Sequence, residues 1–203
     1  MPTQTSDTFY RDMIKREAEK HLLKVSDAPA DLVLGKRKGA GFLRTVLTET
    51  CEIPPAWTPA NVKAIETPGQ WLNVNGQGGT SDSQKAIHWC GIFATYVLKQ
   101  TGMPVKWRSG EGIVPSDANS QWVRKYRRWM PNEKFDDGDF QIGDVAAIPR
   151  ANHHFVVVDV SNPATLGCIA GNGSYQRIER QTHNRREVNC LYRIVWDPLA
   201  SRV

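Results

Sequence analysis

The chain has 203 residues, a formal net charge of +5 and a sequence pI near 9.1, and 40% of its residues are hydrophobic. This composition excludes a disordered chain and leaves room for one well-buried core rather than two full domains. The positive charge favours anionic partners such as nucleic acid, acidic lipid headgroups or cell-wall polymers.

The first predicted element is an amphipathic helix over residues 7–25. Ser6 stands in the N-cap position, and apolar residues recur at spacings of three and four, namely Tyr10, Ile14, Ala18, Leu22 and Val25. Prolines and then glycines interrupt the chain up to residue 80, so we expect irregular structure there with one or two short helices. We divide the chain into an N-terminal helical segment, residues 1–65, which packs on or precedes the core, and a main domain over residues 66–203.

The next predicted helix begins near Cys90 and ends at Gly102, a residue suited to the C′ position. Its buried side carries Ile92, Phe93, Tyr96 and Val97. A thiol in the first turn of a helix lies near the positive end of the helix dipole, which stabilises the thiolate. Cys90 is therefore a candidate nucleophile, and a small core residue is the alternative role for it.

A further helix is predicted from Ser116 or Asp117 to Trp129. Its aromatic face carries Trp122, Val123, Tyr126 and Trp129, and its basic face carries Arg124, Lys125, Arg127 and Arg128. Basic and aromatic side chains interleaved in this way also suit a non-catalytic nucleic-acid-binding module, which is the alternative function from another class.

Beyond Gly138 the pattern predicts strands over residues 144–148, 154–160, 166–170, 176–180 and 188–196, separated by turn residues. The expected fold is therefore α+β, with N-terminal helices packed on an antiparallel sheet of about five strands. Cys168 and Cys190 fall in two of these strands. They are read as buried free thiols, with a cross-strand disulfide as the alternative.

A hairpin turning at Asn162-Pro163 would pair positions whose numbers sum to about 325, which sets His154 opposite position 171. Asn172 could then orient the imidazole toward the thiol, completing a nucleophile, base and orienter set. His153 points to the other face of its strand and stays open as the base. Asn172 could instead supply a left-handed turn, and Asp159 is a weaker orienter on the opposite face.

The residues around these positions resemble the CHAP and NlpC/P60 group of papain-like cysteine amidases and peptidases. The similar stretches are Trp89-Cys90-Gly91-Ile92-Phe93-Ala94 through Gln100-Thr101-Gly102, then Ile142-Gly143-Asp144-Val145, then His154-Phe155-Val156-Val157-Val158-Asp159, and finally Ile169-Ala170-Gly171-Asn172.

The resemblance implies a papain-like fold with Cys90 as nucleophile, His154 as general base and Asn172 as the orienting residue. It implies a structural role for Gly143 and Asp144, and it requires no metal or cofactor. The NlpC/P60 branch usually has Gly two residues after the histidine, where this chain has Val156. This difference favours the CHAP-like branch.

The expected function is hydrolysis of amide bonds in peptidoglycan stem peptides, by a phage-type lysin or an antibacterial effector. A protease or deamidase toxin acting on a protein is the alternative enzyme. Besides the peptidoglycan substrate, the interpretation leaves open a cognate immunity or inhibitor protein and a secretion-apparatus component as partners, and it expects no nucleic acid. The chain shows no apolar run of about 18 residues and no signal peptide, so we expect no membrane span, synthesis in the cytoplasm and action in a target cell wall after delivery.

Overall fold

The computed structural model describes residues 6–26, 50, 90–108, 111–116, 122–149, 153–171 and 178–195. The helices described are α1 (Ser6–Ser26), α2 (Cys90–Gln100) and a 3-10 helix (Arg185–Glu187). The strands are β1 (Val105–Arg108), β2 (Gly112–Pro115), β3 (Val123–Arg127), β4 (Val145–Ile148), β5 (His153–Asp159), β6 (Thr165–Ala170), β7 (Glu179–Asn184) and β8 (Cys190–Ile194). The predicted domain boundary at residue 65 lies outside the described residues.

The described strands form an antiparallel sheet of six strands in the order β3-β8-β4-β5-β6-β7, beside a separate β1-β2 hairpin. The α+β prediction is therefore confirmed, but the expected sheet of about five strands was too small. Strands β4 to β7 form the expected meander. Strand β8 then crosses back to pair with β4 and carries β3 on its outer side, a long-range pairing that no local pattern reveals.

Helices α1 and α2 pack on one face of this sheet, and loops cover the other. The helix-covered core joins Ile14 and Ala18 of α1 and Phe93 of α2 to sheet residues such as Val156 and Ile169. The second core lies on the opposite face and contains Phe135, Phe140, Phe155, Val157, Leu166 and Leu191. Alternate residues of β5 therefore enter different cores, as the two-residue period of a strand requires.

The helix predicted from residue 116 to residue 129 is wrong where the structure describes it. Residues 123–127 form strand β3, and all five pair with β8 from Ile194 to Cys190. Spacings of three and four among the aromatic residues suited a helix, but the segment is also rich in the β-branched and aromatic residues that favour strands. The segment forms a strand because β8, a strand distant in sequence, pairs with it through backbone hydrogen bonds. Val123, Lys125 and Arg127 now share one face, so the proposed basic helix face does not exist.

Gly143 and Asp144 hold the start of β4. Gly143 has a φ of 89°, which favours glycine. The buried Asp144 carboxylate accepts hydrogen bonds from the Arg193 guanidinium at 2.9 and 2.7 Å and from the backbone N–H of Gln141 at 2.8 Å. Burial raises the pKa of Asp144 despite this guanidinium. These contacts tie β4 to β8, which agrees with the structural role implied for the pair.

Cys168 and Cys190 are free thiols, as predicted. Cys168 lies in β6 and Cys190 in β8, and β4 and β5 separate these strands in the sheet. The two thiols also belong to different cores. A disulfide between them is therefore excluded by geometry.

The strand predicted over residues 176–180 is displaced toward the C-terminus. Strand β7 runs from Glu179 to Asn184 and pairs with β6 over its whole length. The predicted turn at Asn184 and Arg185 is present as the start of the 3-10 helix, where the Asn184 side chain accepts a hydrogen bond from the Arg186 N–H.

Candidate active site

Cys90 is the first residue of α2 and lies at the centre of the fold. Residues 90–98 are all buried, so this helix is enclosed on every side rather than amphipathic as predicted. Gly102 has a φ of 87° just after the helix, which agrees with its predicted position. The Cys90 residue is only 2% exposed. The thiol is therefore almost completely shielded from solvent, and Cys90 is not among the residues that line the cleft beside His154.

His154 is the residue that β5 brings to this thiol. Its backbone N–H donates a hydrogen bond to Cys90 Sγ, with the nitrogen 3.4 Å from the sulfur. Burial raises the pKa of the Cys90 thiol, while the backbone N–H groups of His154, Gly91 and Cys90 itself oppose that rise. The resting group is thus a neutral thiol, and these three N–H dipoles would stabilise a negative charge that forms on or beside the sulfur.

The His154 imidazole faces the helix-covered side of the sheet. Its ring lies 5.1 Å from the Trp107 ring in an edge-to-face arrangement and 6.1 Å from the Tyr192 ring, measured between centroids. The pKa of His154 is lowered to about 4, chiefly by burial and in addition by the nearby His153 and Lys125. The imidazole is therefore neutral near pH 7 and able to accept a proton.

The structure separates the two adjacent histidines. His153 Nε2 lies 2.7 Å from the side-chain oxygen of Gln181, and its ring lies 5.4 Å from that of His183. The Phe155 ring, which belongs to the core on the opposite side from α2, is stacked on His183 at 4.5 Å. His153 thus belongs to a polar group on the other face of the sheet, and His154 is the histidine beside Cys90.

Asn172, the predicted orienting residue, lies outside the described residues. The register expected for its hairpin is confirmed where it is described, because Val156 pairs with Ile169 and these numbers sum to 325. The same register, continued beyond this pair, would set position 171 opposite His154. Asp159 is exposed and accepts a hydrogen bond from the Ser161 N–H at 2.8 Å, a contact that lowers its pKa. It takes part in a turn and not in the site.

An open cleft of about 370 Å³ lies beside the imidazole. Its floor is a row of side chains from four adjacent strands: Arg127 opposite Cys190, Cys190 opposite Ala147, and Ala147 opposite His154. Other lining residues are Trp107, Glu111, Gly112, Lys125, Trp129, Pro149 and Tyr192. The sequence suggested Lys125, Arg127 and Trp129 only as parts of a nucleic-acid-binding helix, and it did not suggest Trp107, Glu111, Gly112, Pro149 or Tyr192 as site residues, although the alternation Cys190-Leu191-Tyr192 could have placed Cys190 and Tyr192 on one face.

Comparison with protein-family models, curated proteins and solved structures gives no match. The resemblance to CHAP and NlpC/P60 enzymes therefore stays a prediction. In the part of the chain that the structure describes, no group of three or more His, Cys, Asp or Glu side chains is arranged to hold a metal ion. None of the described helices has the length and apolar character needed to cross a bilayer.

Proposed function

We propose that this protein is a papain-like cysteine hydrolase that cleaves amide bonds in peptidoglycan stem peptides. The observation that carries the proposal is the meeting of Cys90 and His154, which are 64 residues apart and share a hydrogen bond at the first turn of a buried helix. A helix start supplies unpaired backbone donors as well as a positive dipole. Both features favour nucleophilic attack by sulfur and stabilise an oxyanion.

The electrostatics define the order of proton transfers. The thiol and the imidazole are both neutral at rest, so His154 takes the Cys90 proton as the sulfur attacks the carbonyl carbon. The resulting imidazolium then protonates the leaving amine, and a thioester forms. Water hydrolyses this thioester with His154 again acting as base. Because Cys90 is almost fully buried, the attack requires its side chain to turn toward the cleft when substrate binds.

The nucleic-acid-binding alternative loses its main support, whereas the protease or deamidase alternative keeps it. The nucleic-acid alternative depended on a basic aromatic helix reaching Trp129, and residues 123–127 of that segment form strand β3 instead. Arg128 of the supposed basic face is engaged internally, where it donates to the Val188 carbonyl at 2.6 Å and to Asp137 at 2.6 Å. A protease or deamidase acting on a protein would use the same chemistry, so substrate tests must include it. An enzyme of the proposed kind would act in the wall of a target bacterium after delivery.

The test is incubation with purified peptidoglycan, followed by quantification of new amino groups and mass spectrometry of the fragments. We expect the native protein to release amines and Cys90→Ala to lose about 10³-fold or more of the rate, as nucleophile removal does in triad enzymes. Cys168→Ala is the matched control. Its thiol is also buried, with a pKa raised to about 12 by burial, but it lies in the opposite core, so activity should persist.

Parallel reactions with casein and with a glutamine-containing peptide cover the alternative substrates. Cleavage of casein or deamidation of glutamine without release from peptidoglycan would replace the proposed substrate with a protein. Equal activity in the native protein and Cys90→Ala, or no activity on any of the three substrates, would refute the hydrolase.

A further inference from the structure

The cleft floor is a straight row of side chains that leads away from the candidate catalytic pair. Arg127, Cys190, Ala147 and His154 stand directly opposite one another on β3, β8, β4 and β5. Neighbouring strands lie about 4.8 Å apart, so the row is about 14 Å long at the backbone. Ala147 is the smallest side chain of the row, and all four residues line the cleft. The row can therefore accommodate an extended chain that starts at His154.

A guanidinium marks the far end of this row. Arg127 stands directly opposite Cys190, where its positive charge opposes the rise that burial causes in the pKa of the Cys190 thiol, and its guanidinium carbon lies 5.9 Å from the centroid of the Trp129 ring. Trp129 is 54% exposed at the rim of the cleft. Among the residues that the structure describes, no carboxylate pairs with Arg127. Its hydrogen-bonding fork is thus available to a ligand.

Lys125 adds a second positive charge on the same strand face. Its ammonium donates to the Glu111 carbonyl at 2.8 Å and lies 5.1 Å from the centroid of the Tyr192 ring. Glu111 is the acidic residue of the cleft lining, and its carboxylate is paired with Arg108 at 3.1 Å. The end of the cleft opposite His154 is therefore positive, with aromatic side chains beside it.

We propose that Arg127 binds a carboxylate of the peptide substrate while the peptide lies extended along the row toward His154. A guanidinium suits this ligand because its planar fork matches the two oxygens of a carboxylate. Arg127 stands three strand spacings from His154, so the carboxylate lies at most about 14 Å from the imidazole. An extended peptide advances 3.3–3.6 Å per residue, which sets the carboxylate at most about four residues from the cleaved bond.

This inference rests on the proposed function for the position of the cleaved bond, but its test measures binding alone. The Cys90→Ala variant, which prevents turnover, is titrated by calorimetry with N-acetyl-pentaalanine bearing a free C-terminal carboxylate and with the same peptide as C-terminal carboxamide. We expect the carboxylate form to bind about tenfold more tightly, as a charge-assisted fork permits. Equal affinity for the two forms would overturn the proposal.

Two substitutions on strand β3 assign the preference to one side chain. Arg127→Gln should abolish the preference for the carboxylate peptide over the carboxamide peptide. Arg127→Lys should retain part of this preference, because lysine keeps the positive charge but lacks the planar guanidinium fork. Arg124→Gln is the matched control, since Arg124 lies on the same strand, is exposed and points to the opposite face. Persistence of the preference in Arg127→Gln, or its loss in Arg124→Gln, would contradict the assignment.

The two proposals fail in different ways. If the native protein hydrolyses no amide but the carboxylate peptide still binds through Arg127, the hydrolase is wrong and the carboxylate site stands. If amides are cleaved through Cys90 and the two peptides bind equally, the hydrolase stands and the carboxylate site is wrong.

Discussion

The partly buried imidazole of His154 makes the stability of the fold depend on pH. Burial lowers its pKa to about 4, whereas the ring in an unfolded chain titrates near 6.5. Between these values the unfolded state binds more protons, so the contribution is complete above about pH 6.5 and is lost as the pH falls toward 4. We expect the free energy of unfolding in urea to fall by about 2 kcal/mol from this group between pH 8 and pH 5.

The prediction is tested by repeating the urea unfolding experiments at pH 8 and at pH 5 on substituted proteins. His154→Gln should remove most of the pH-dependent difference. His183→Gln is the comparison: burial also lowers the pKa of His183, but the nearby Glu187 carboxylate opposes that shift, so the change should be smaller. The same slope in the native protein and in His154→Gln would contradict the assignment.

Individual site residues differ in how far the sequence could identify them. Cys90 could be identified because a helix start gives a thiol a distinct electrostatic environment, and His154 because the strand period sets it on the opposite face from His153. Arg127 was assigned to the basic face of a predicted helix, and Cys190 was interpreted as a buried free thiol. Both enter the cleft because β3 pairs with β8. That pairing is a tertiary contact, so the local sequence holds no signal for it.

At the level of elements, the packing of α2 on β1 depends on a glycine. A Cβ at Gly91 would overlap the six-membered ring of Trp107, the same ring that lies edge-on to His154. Gly91→Ala should therefore lower the free energy of unfolding by about 1–3 kcal/mol, the usual cost of overpacking. Chemical denaturation followed by far-UV circular dichroism measures this change.

Removing the Trp107 ring should recover part of the stability that Gly91→Ala loses. Trp107→Leu alone lowers the free energy of unfolding because it deletes buried ring atoms. In the double variant with Gly91→Ala, the smaller side chain at position 107 leaves room for the added methyl group. The two changes together should thus cost less than the sum of the single changes. Gly138→Ala is the control, because a Cβ there meets no atom within 4 Å. Additive losses would show that Gly91 and Trp107 are not in steric contact.

The elements that could be predicted are those fixed by local patterns. Helix α1, the end of α2 at Gly102, and strands β4, β5 and β6 all carry such patterns, and each lies within a few residues of its predicted place. The β1-β2 hairpin was missed, although Val105-Lys106-Trp107-Arg108 alternates and a glycine follows at position 112. β3 was mistaken for a helix, since its stability as a strand comes from a partner about 70 residues away.

At the scale of the whole molecule, α1 completes the core that positions Cys90. Ile14 and Ala18 belong to the same buried cluster as Phe93 of α2. Gly143, just before β4, packs closely against α1: a Cβ added to this glycine would lie 3.1 Å from the Arg11 Cα. Helix α1 therefore contacts both α2 and the sheet. This arrangement is expected of a helix that completes the core.

This arrangement predicts that α1 unfolds together with the sheet. Ile14 is 1% exposed and Phe9, on the same helix, is 51% exposed. Ile14→Ala should lower the free energy of unfolding by about 2–5 kcal/mol, with tryptophan fluorescence and far-UV circular dichroism reporting one coincident transition. Phe9→Ala deletes a larger apolar side chain from the surface and should change stability by less than about 0.5 kcal/mol. If Ile14→Ala left the fluorescence transition in place and shifted only the loss of helical signal, α1 would be a separate unit, and the support it gives to Cys90 would have to come from another part of the chain.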